Sequence, residues 1–235
     1  MTFIDTIVVP QGAEYQAVCR GLKKVRAKNV RVVSIPIGTK NIERTLANYS
    51  IELNNAQNIL IVGLAGSLSQ LYSVGDAVLY QSCWNLNRQH INIESELTTA
   101  IGKKLSINLV EGLSCDRVIH QATDKLKLSQ TYPVSVVDME GYGYIKQLQQ
   151  RNITVAMLRI ISDDLTGDIP DLTNAIDGNG NLKAIPMAIA FLKQPLPAIR
   201  LIQGSLIGLN TLQKVISKLL TPVRARRVPQ GYRSA

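Results

Sequence analysis

The chain is short of the residues that mark several protein classes. Its three cysteines, Cys19, Cys83 and Cys115, are odd in number and widely spaced over 235 residues. This excludes a disulfide framework and shows neither metal nor redox spacing, so they read as reduced, buried thiols. The two histidines, His90 and His120, have no ligand-like spacing to each other or to a cysteine, and no metal site is expected. Aromatic residues make up only 5% of the chain, with one tryptophan, Trp84, which either stacks on a ligand or packs at a strand end. No apolar run is long enough to cross a bilayer. The longest charge-free stretch near the end, residues 201–213, is interrupted by Gln203, Ser205 and Asn210. The first ten residues carry no basic segment ahead of an apolar one, so no secretory leader and a cytoplasmic location are expected.

Acids are missing from one region altogether. The formal charge is +9, yet the last acidic residue is Asp177. Beyond it stand Lys183, Lys193, Arg200, Lys214, Lys218, Arg224, Arg226, Arg227 and Arg233. The preceding body is neutral, so the excess charge belongs to the C-terminal quarter. Nucleic-acid binding would use a basic body and is not expected here.

Against these absences, 46% of residues are apolar, enough for a sizeable core. Strand-like runs are predicted at residues 6–9, 30–35, 58–62, 77–81, 106–113, 134–137 and 154–161. They alternate with helical patterns at 13–25, 41–53, 94–104, 123–128 and 142–151, then from 186 onward. Near-continuous apolar strands separated by helices imply an α/β fold: three layers, αβα, with a mixed, largely parallel twisted sheet flanked by helices. In such sheets a ligand sits beyond the carboxyl ends of the strands. The residues expected there include Glu14, Gly38, residues 63–66, residues 138–141 and residues 162–164. Carboxylates with small residues between them suit a pocket for a polyhydroxylated molecule.

Each carboxylate has two readings. Asp163 either serves as an acid or shapes the turn after its strand. Glu140 either meets a ligand or complements a helix dipole, and the same holds for Glu14. Arg159 interrupts a buried strand. A buried guanidinium requires carboxylate or anion partners, with Glu14 as one possibility, unless it lies at a sheet edge.

Three segments together resemble the purine nucleoside phosphorylase and methylthioadenosine/S-adenosylhomocysteine nucleosidase superfamily. They are Ile59-Leu60-Ile61-Val62-Gly63-Leu64-Ala65-Gly66-Ser67-Leu68 with Val74-Gly75-Asp76, then Val137-Asp138-Met139-Glu140-Gly141, then Leu158-Arg159-Ile160-Ile161-Ser162-Asp163. The resemblance implies cleavage of the N-ribosidic bond of an adenosine-type purine nucleoside, by phosphorolysis or hydrolysis. Cofactors are none, with inorganic phosphate a co-substrate in the first case. Such chemistry needs an acid for the leaving base, carboxylates for an oxocarbenium-like sugar, and a placed nucleophile.

By resemblance, Asp163 donates to N7 of the base, and Met139 and Glu140 hold the ribose. Glu14 and Arg159 hold the attacking water, with Gly38 at the phosphate or water site. Residues Leu64, Ala65, Gly66, Val118 and Ile119 line the base and pocket. Leu64 departs from the pattern, standing where nucleosidases carry a small hydroxyl residue. This keeps open the alternative of a non-catalytic nucleoside-binding protein. The short N-terminal stretch and residues 169–198 are most similar to the hopanoid-associated branch, whose members act on a lipid-linked adenosyl group.

The resemblance thus places a catalytic domain at 1–193 and a helical extension with a basic tail at 194–235. It also implies a homo-oligomer. The basic C-terminus suggests either peripheral contact with a membrane or lipid-linked substrate, or a helix packed on the body.

Overall fold

The computed structural model describes residues 4–27, 29–36, 42, 46–47, 56–93, 95–177 and 182–222. The strands are β1 (Thr6–Pro10), β2 (Arg31–Ile35), β3 (Asn58–Ser67), β4 (Ala77–Asn85), β5 (His90–Asn92), β6 (Asn108–Ser114), β7 (Val136–Asp138) and β8 (Thr154–Asp163). The described helices are α1 (Ala13–Val25), α2 (Glu96–Leu105), α3 (Ala122–Thr131), α4 (Gly141–Gln149), α5 (Ala184–Lys193) and α6 (Pro195–Leu220). Of the helix predicted at 41–53, residues 42, 46 and 47 are helical and the remainder lies outside the described residues.

The sheet is mixed, as expected. β1 runs parallel to β2 and β3, β3 to β8, β4 to β6, and β6 to β7. The pairs β3–β7, β4–β5 and β4–β8 are antiparallel. Because β8 pairs with both β3 and β4, strands β3, β8, β4, β6 and β7 close on themselves, and β1, β2 and β5 extend the sheet from that ring. Alternation along β3 sorts the core: Ile59 and Ile61 face a cluster with Tyr144, Ile145 and Leu148 of α4. Leu60 and Val62 face one with Val18 of α1, Ile101 of α2 and Leu212 of α6. A strand whose two faces are both apolar must be covered twice, which yields the three layers.

Two expectations change. β3 and β8 run past residues 62 and 161, so the segments expected as loops, 63–66 and 162–163, belong to strands. Cross-strand pairing with β8 and β7 satisfies the backbone of the glycine-containing stretch, which its composition alone does not suggest. A bulge between Ala65 and Gly66 shifts the register so that Gly66 opposes Asp163.

The boundary expected at 193/194 falls between α5 and α6, yet α6 is part of the body: Leu212, Ile216 and Leu219 lie in the same core as β1 and α1. A Cβ on Gly21 of α1 would stand 2.8 Å from the Gln213 carbonyl, so the two helices meet at backbone distance. Among the described residues no helix is long and apolar enough to cross a membrane.

Candidate active site

The residues that converge do so at strand ends. Pro10 closes β1, and Gly12, at φ +92°, turns the chain into α1 so that Glu14 sits in the first helical turn. Only the backbone conformation calls for glycine here, since a Cβ would meet nothing within 4 Å. The Glu14 Oε1 accepts a hydrogen bond from the Leu64 N–H at 2.7 Å, tying α1 to β3. Burial pushes the Glu14 carboxyl up to about 7. The neighbouring Glu140 adds to the rise, while the Leu64 N–H and Arg159 oppose it.

Asp138, the last residue of β7, organises the next group. Its Oδ1 accepts from Ser114 Oγ at 2.6 Å, the Gly141 N–H at 3.0 Å and the Glu140 N–H at 3.3 Å, which shapes the entry to α4 and sets Glu140 in place. Its Oδ2 accepts from Arg159 Nη2 at 3.0 Å and Nε at 3.2 Å, and from the Tyr80 hydroxyl at 3.1 Å. Arg159 Nη2 also reaches Glu140 Oε2 at 3.4 Å. Arg159 is 1% exposed, and although burial disfavours its charge, the Asp138 and Glu140 carboxylates outweigh that and hold its proton more firmly than in water. Sequence reasoning required an acid beside Arg159 and offered Glu14. The hydrogen-bonded partners are instead Asp138 and Glu140, and Glu14 acts on the guanidinium only through its charge. Gly63, opposite Arg159 in the register, leaves the room: a Cβ there would overlap the guanidinium and stand 3.0 Å from Glu14 Oε1.

Asp163 ends β8. Its Oδ1 lies 3.0 Å from Ser162 Oγ, and its Oδ2 forms a buried ion pair with Lys125 of α3. The Lys125 ammonium also donates to the Asp164 carbonyl at 3.1 Å.

One cavity of about 220 Å³ gathers these groups. Glu14, Leu64, Ala65, Gly66, Val118, Ile119, Met139, Glu140 and Asp163 all line it, at the carboxyl ends of β1, β3, β7 and β8 and on the segment after β6. The rest of the lining comes mostly from aliphatic residues that follow β8, Ile169, Leu172, Ile176, Leu182 and Leu201, with Ser205. Of the residues singled out from the sequence, Arg159 stands behind the cavity rather than in its lining, and Gly38 lies outside the described residues. Trp84 is not in the lining either: its indole N–H donates to Glu111 at 2.8 Å, and its ring tilts against His90.

Sequence reasoning missed Lys125 and Tyr80, and it placed Asp138 and Ser162 at the ligand end of the strands without giving either a role. Asp138 and Ser162 stand inside the motifs already quoted. Lys125 carries no such signal: in its helix a pattern of apolar residues would turn Leu126 inward.

Comparisons with known proteins fall on the same fold. No curated protein matches the chain by sequence. Among solved structures, the 5′-methylthioadenosine/S-adenosylhomocysteine nucleosidase of Neisseria meningitidis, in complex with methylthio-immucillin-A, superposes at TM-score 0.68 with 15% identity, over 93% of this chain and 99% of that one. The futalosine hydrolase of Helicobacter pylori superposes at 0.66 with 17% identity, over 91% and 95%. The 5′-methylthioadenosine nucleosidase of Arabidopsis thaliana superposes at 0.59 with 16% identity, over 93% and 96%. At these identities the likeness establishes the three-layer fold. The family model for the phosphorylase superfamily matches residues 8–190, a span that runs from β1 into α5 and holds every acid of the cavity, and the chain therefore belongs to the phosphorylase superfamily.

Proposed function

We propose that the protein cleaves the N-ribosidic bond of an adenosine-type purine nucleoside and that water receives the ribose. One observation carries the reading: Glu14, poised near neutrality, and Asp163 line the same cavity as Glu140. Asp163 faces N7 of the departing base, which lies along Val118, Ile119, Ala65 and Gly66. Met139 packs on the ribose and Glu140 holds its hydroxyls, where negative charge favours an oxocarbenium-like sugar. Glu14 accepts the proton of the attacking water. A group that ionises near neutral pH suits a general base. Arg159 acts from behind, fixing Glu140 and biasing Glu14.

Water is favoured over phosphate by charge. Among the described residues Arg117 is the one cation in the lining, against Glu14, Asp138, Glu140 and Asp163. A phosphate dianion would meet four carboxyl groups there. The test is base release from adenosine, 5′-methylthioadenosine and inosine, with and without phosphate. The expected result is free base and free sugar (ribose, or its 5-methylthio derivative from 5′-methylthioadenosine) at equal rates in both buffers. Phosphate-dependent release would make the protein a phosphorylase, and tight binding without release would make it a nucleoside-binding protein.

A second reading concerns the outer face of α5 and α6. Ile185, Leu192, Leu196, Ile199 and Leu206 are exposed there, next to Leu182 at the cavity wall, and every charged residue from position 178 on is basic. Like charges disfavour pairing of two such faces and favour an anionic lipid surface. Co-sedimentation with vesicles containing anionic lipid, lost on Leu192→Ser/Leu196→Ser, is the expected result. No binding by the full chain, or conversion of a dimer to a monomer by the same substitutions, would overturn it.

A further inference from the structure

We propose that Lys125 and Asp163 form one proton-donating unit, with Lys125 supplying through Asp163 the proton that leaves on the base. The inference rests on the function proposed above and adds a residue to that site. Lys125 is 0% exposed, and its ammonium meets Asp163 Oδ2 and the Asp164 carbonyl. To place it there, α3 leaves Leu126 49% exposed. Burying an ammonium while exposing a leucine runs against both burial preferences, and packing alone would rotate the helix the other way.

The pair also poses a chemical question. The hydrogen bond answers it: the Lys125 ammonium is the donor and Asp163 Oδ2 the acceptor, so the proton that can move along it is the lysine's. As the C–N bond to the base breaks, its electron pair goes to the base. Lys125 passes a proton along its hydrogen bond to Asp163 as Asp163 passes one to the base ring, and the lysine ends as a neutral amine. The attacking water gives its hydroxyl to the sugar and its proton to Glu14, so one proton enters the base and one is left on Glu14. Solvent then takes up the second and restores the first to Lys125. Ser162 Oγ, 3.0 Å from Asp163 Oδ1, steadies the other oxygen throughout. Lys125 is thus a positioning residue that acts through Asp163, with no contact of its own to the substrate.

The experiment is the pH dependence of kcat and KM on 5′-methylthioadenosine for wild type, Lys125→Met and Lys125→Arg. The alkaline fall of the wild-type kcat should lie at higher pH than that of Lys125→Met. An alkaline fall below about pH 7, the behaviour of a lone carboxylic acid, would overturn the proposal. Lys125→Met should lower kcat by about 10²-fold at pH 7.5 with KM little changed. Its ratio to wild type should then rise as the pH is lowered, because Asp163 can draw its own proton from acidic solvent. Lys125→Arg keeps the charge but does not release its proton, so it should stay slow at every pH.

Rescue by arginine, or a pH-independent ratio for Lys125→Met, would reduce the lysine to a structural role. If either variant fails to fold, the wild-type profile alone decides. Absence of base release from the wild type would instead sink the function proposed above, a different outcome from an active enzyme indifferent to Lys125.

Discussion

The two walls of the cavity are built on opposite terms. The sheet wall carries its charged groups on strand ends and first helical turns, nearly all buried and cross-linked: Arg159 to Asp138 and Glu140, Lys125 to Asp163, Glu14 to the backbone of β3. The wall formed by residues 169–176 and 182–205 offers the cavity mostly aliphatic side chains and turns further aliphatics and lysines outward. Groups held by several short hydrogen bonds to rigid elements keep the geometry a reaction needs. An apolar wall with an exposed outer face suits the selection of what can approach. On the function proposed above, the difference assigns chemistry and access to separate parts of the chain.

The sharpest way to break that division is Asp163→Asn. It should lower kcat by about 10²-fold or more, measured as base release, with the fold retained by circular dichroism. A near-normal rate would remove Asp163 from the role of acid.

Next in size is Asp138→Ala, which strands the buried guanidinium of Arg159. It should cost about 3–5 kcal/mol in urea unfolding, the range found when one partner of a buried ion pair is removed. A loss below about 1 kcal/mol, the scale of a surface pair, would show that Glu140 alone compensates the arginine.

A smaller effect is expected at Glu14, with a defined sign. Its folded-state value near 7 lies above the ordinary 4.5, so folding disfavours the charged form. The contribution of its neutral form to stability is fully present below about pH 4.5 and is lost as the pH rises towards 7. Glu14→Gln keeps an oxygen for the Leu64 N–H and removes the charge. Its Tm relative to wild type should therefore climb between pH 4.5 and 7 and level off above. A difference independent of pH would contradict the raised value.

Smallest of all, Leu192→Ser/Leu196→Ser on the outer helical face should leave kcat on a water-dispersed nucleoside within about twofold, in line with surface substitutions away from a site. A large loss would show that the two walls are not separate in function.

The sheet wall was the legible one. Asp163, Glu140 and Glu14 could be found because strand periodicity locates strand ends, and ends are where ligands sit in such sheets. Arg159 announced itself by breaking an apolar run. Its partners did not, because the choice between Glu14 and Asp138 depends on how β7 lies against β3, a long-range pairing absent from local pattern. Lys125 was hidden for a related reason. Its helix is weakly amphipathic, and only the presence of Asp163 beneath it makes the lysine the inward residue. The strand character of residues 63–66 came likewise from partners on two sides rather than from propensity.

Gly204 and Gly208 give the last helix a further significance. A Cβ at Gly204 would collide with the Ser162 carbonyl, and one at Gly208 would stand 2.8 Å from Leu64 Cδ2. With no side chain as cushion, the α6 backbone rests directly on the strand that ends in Asp163, and nothing compressible separates them. A side chain added at Gly204 would therefore press on the peptide that adjoins Asp163, which makes the last described helix a mechanical neighbour of that carboxylate.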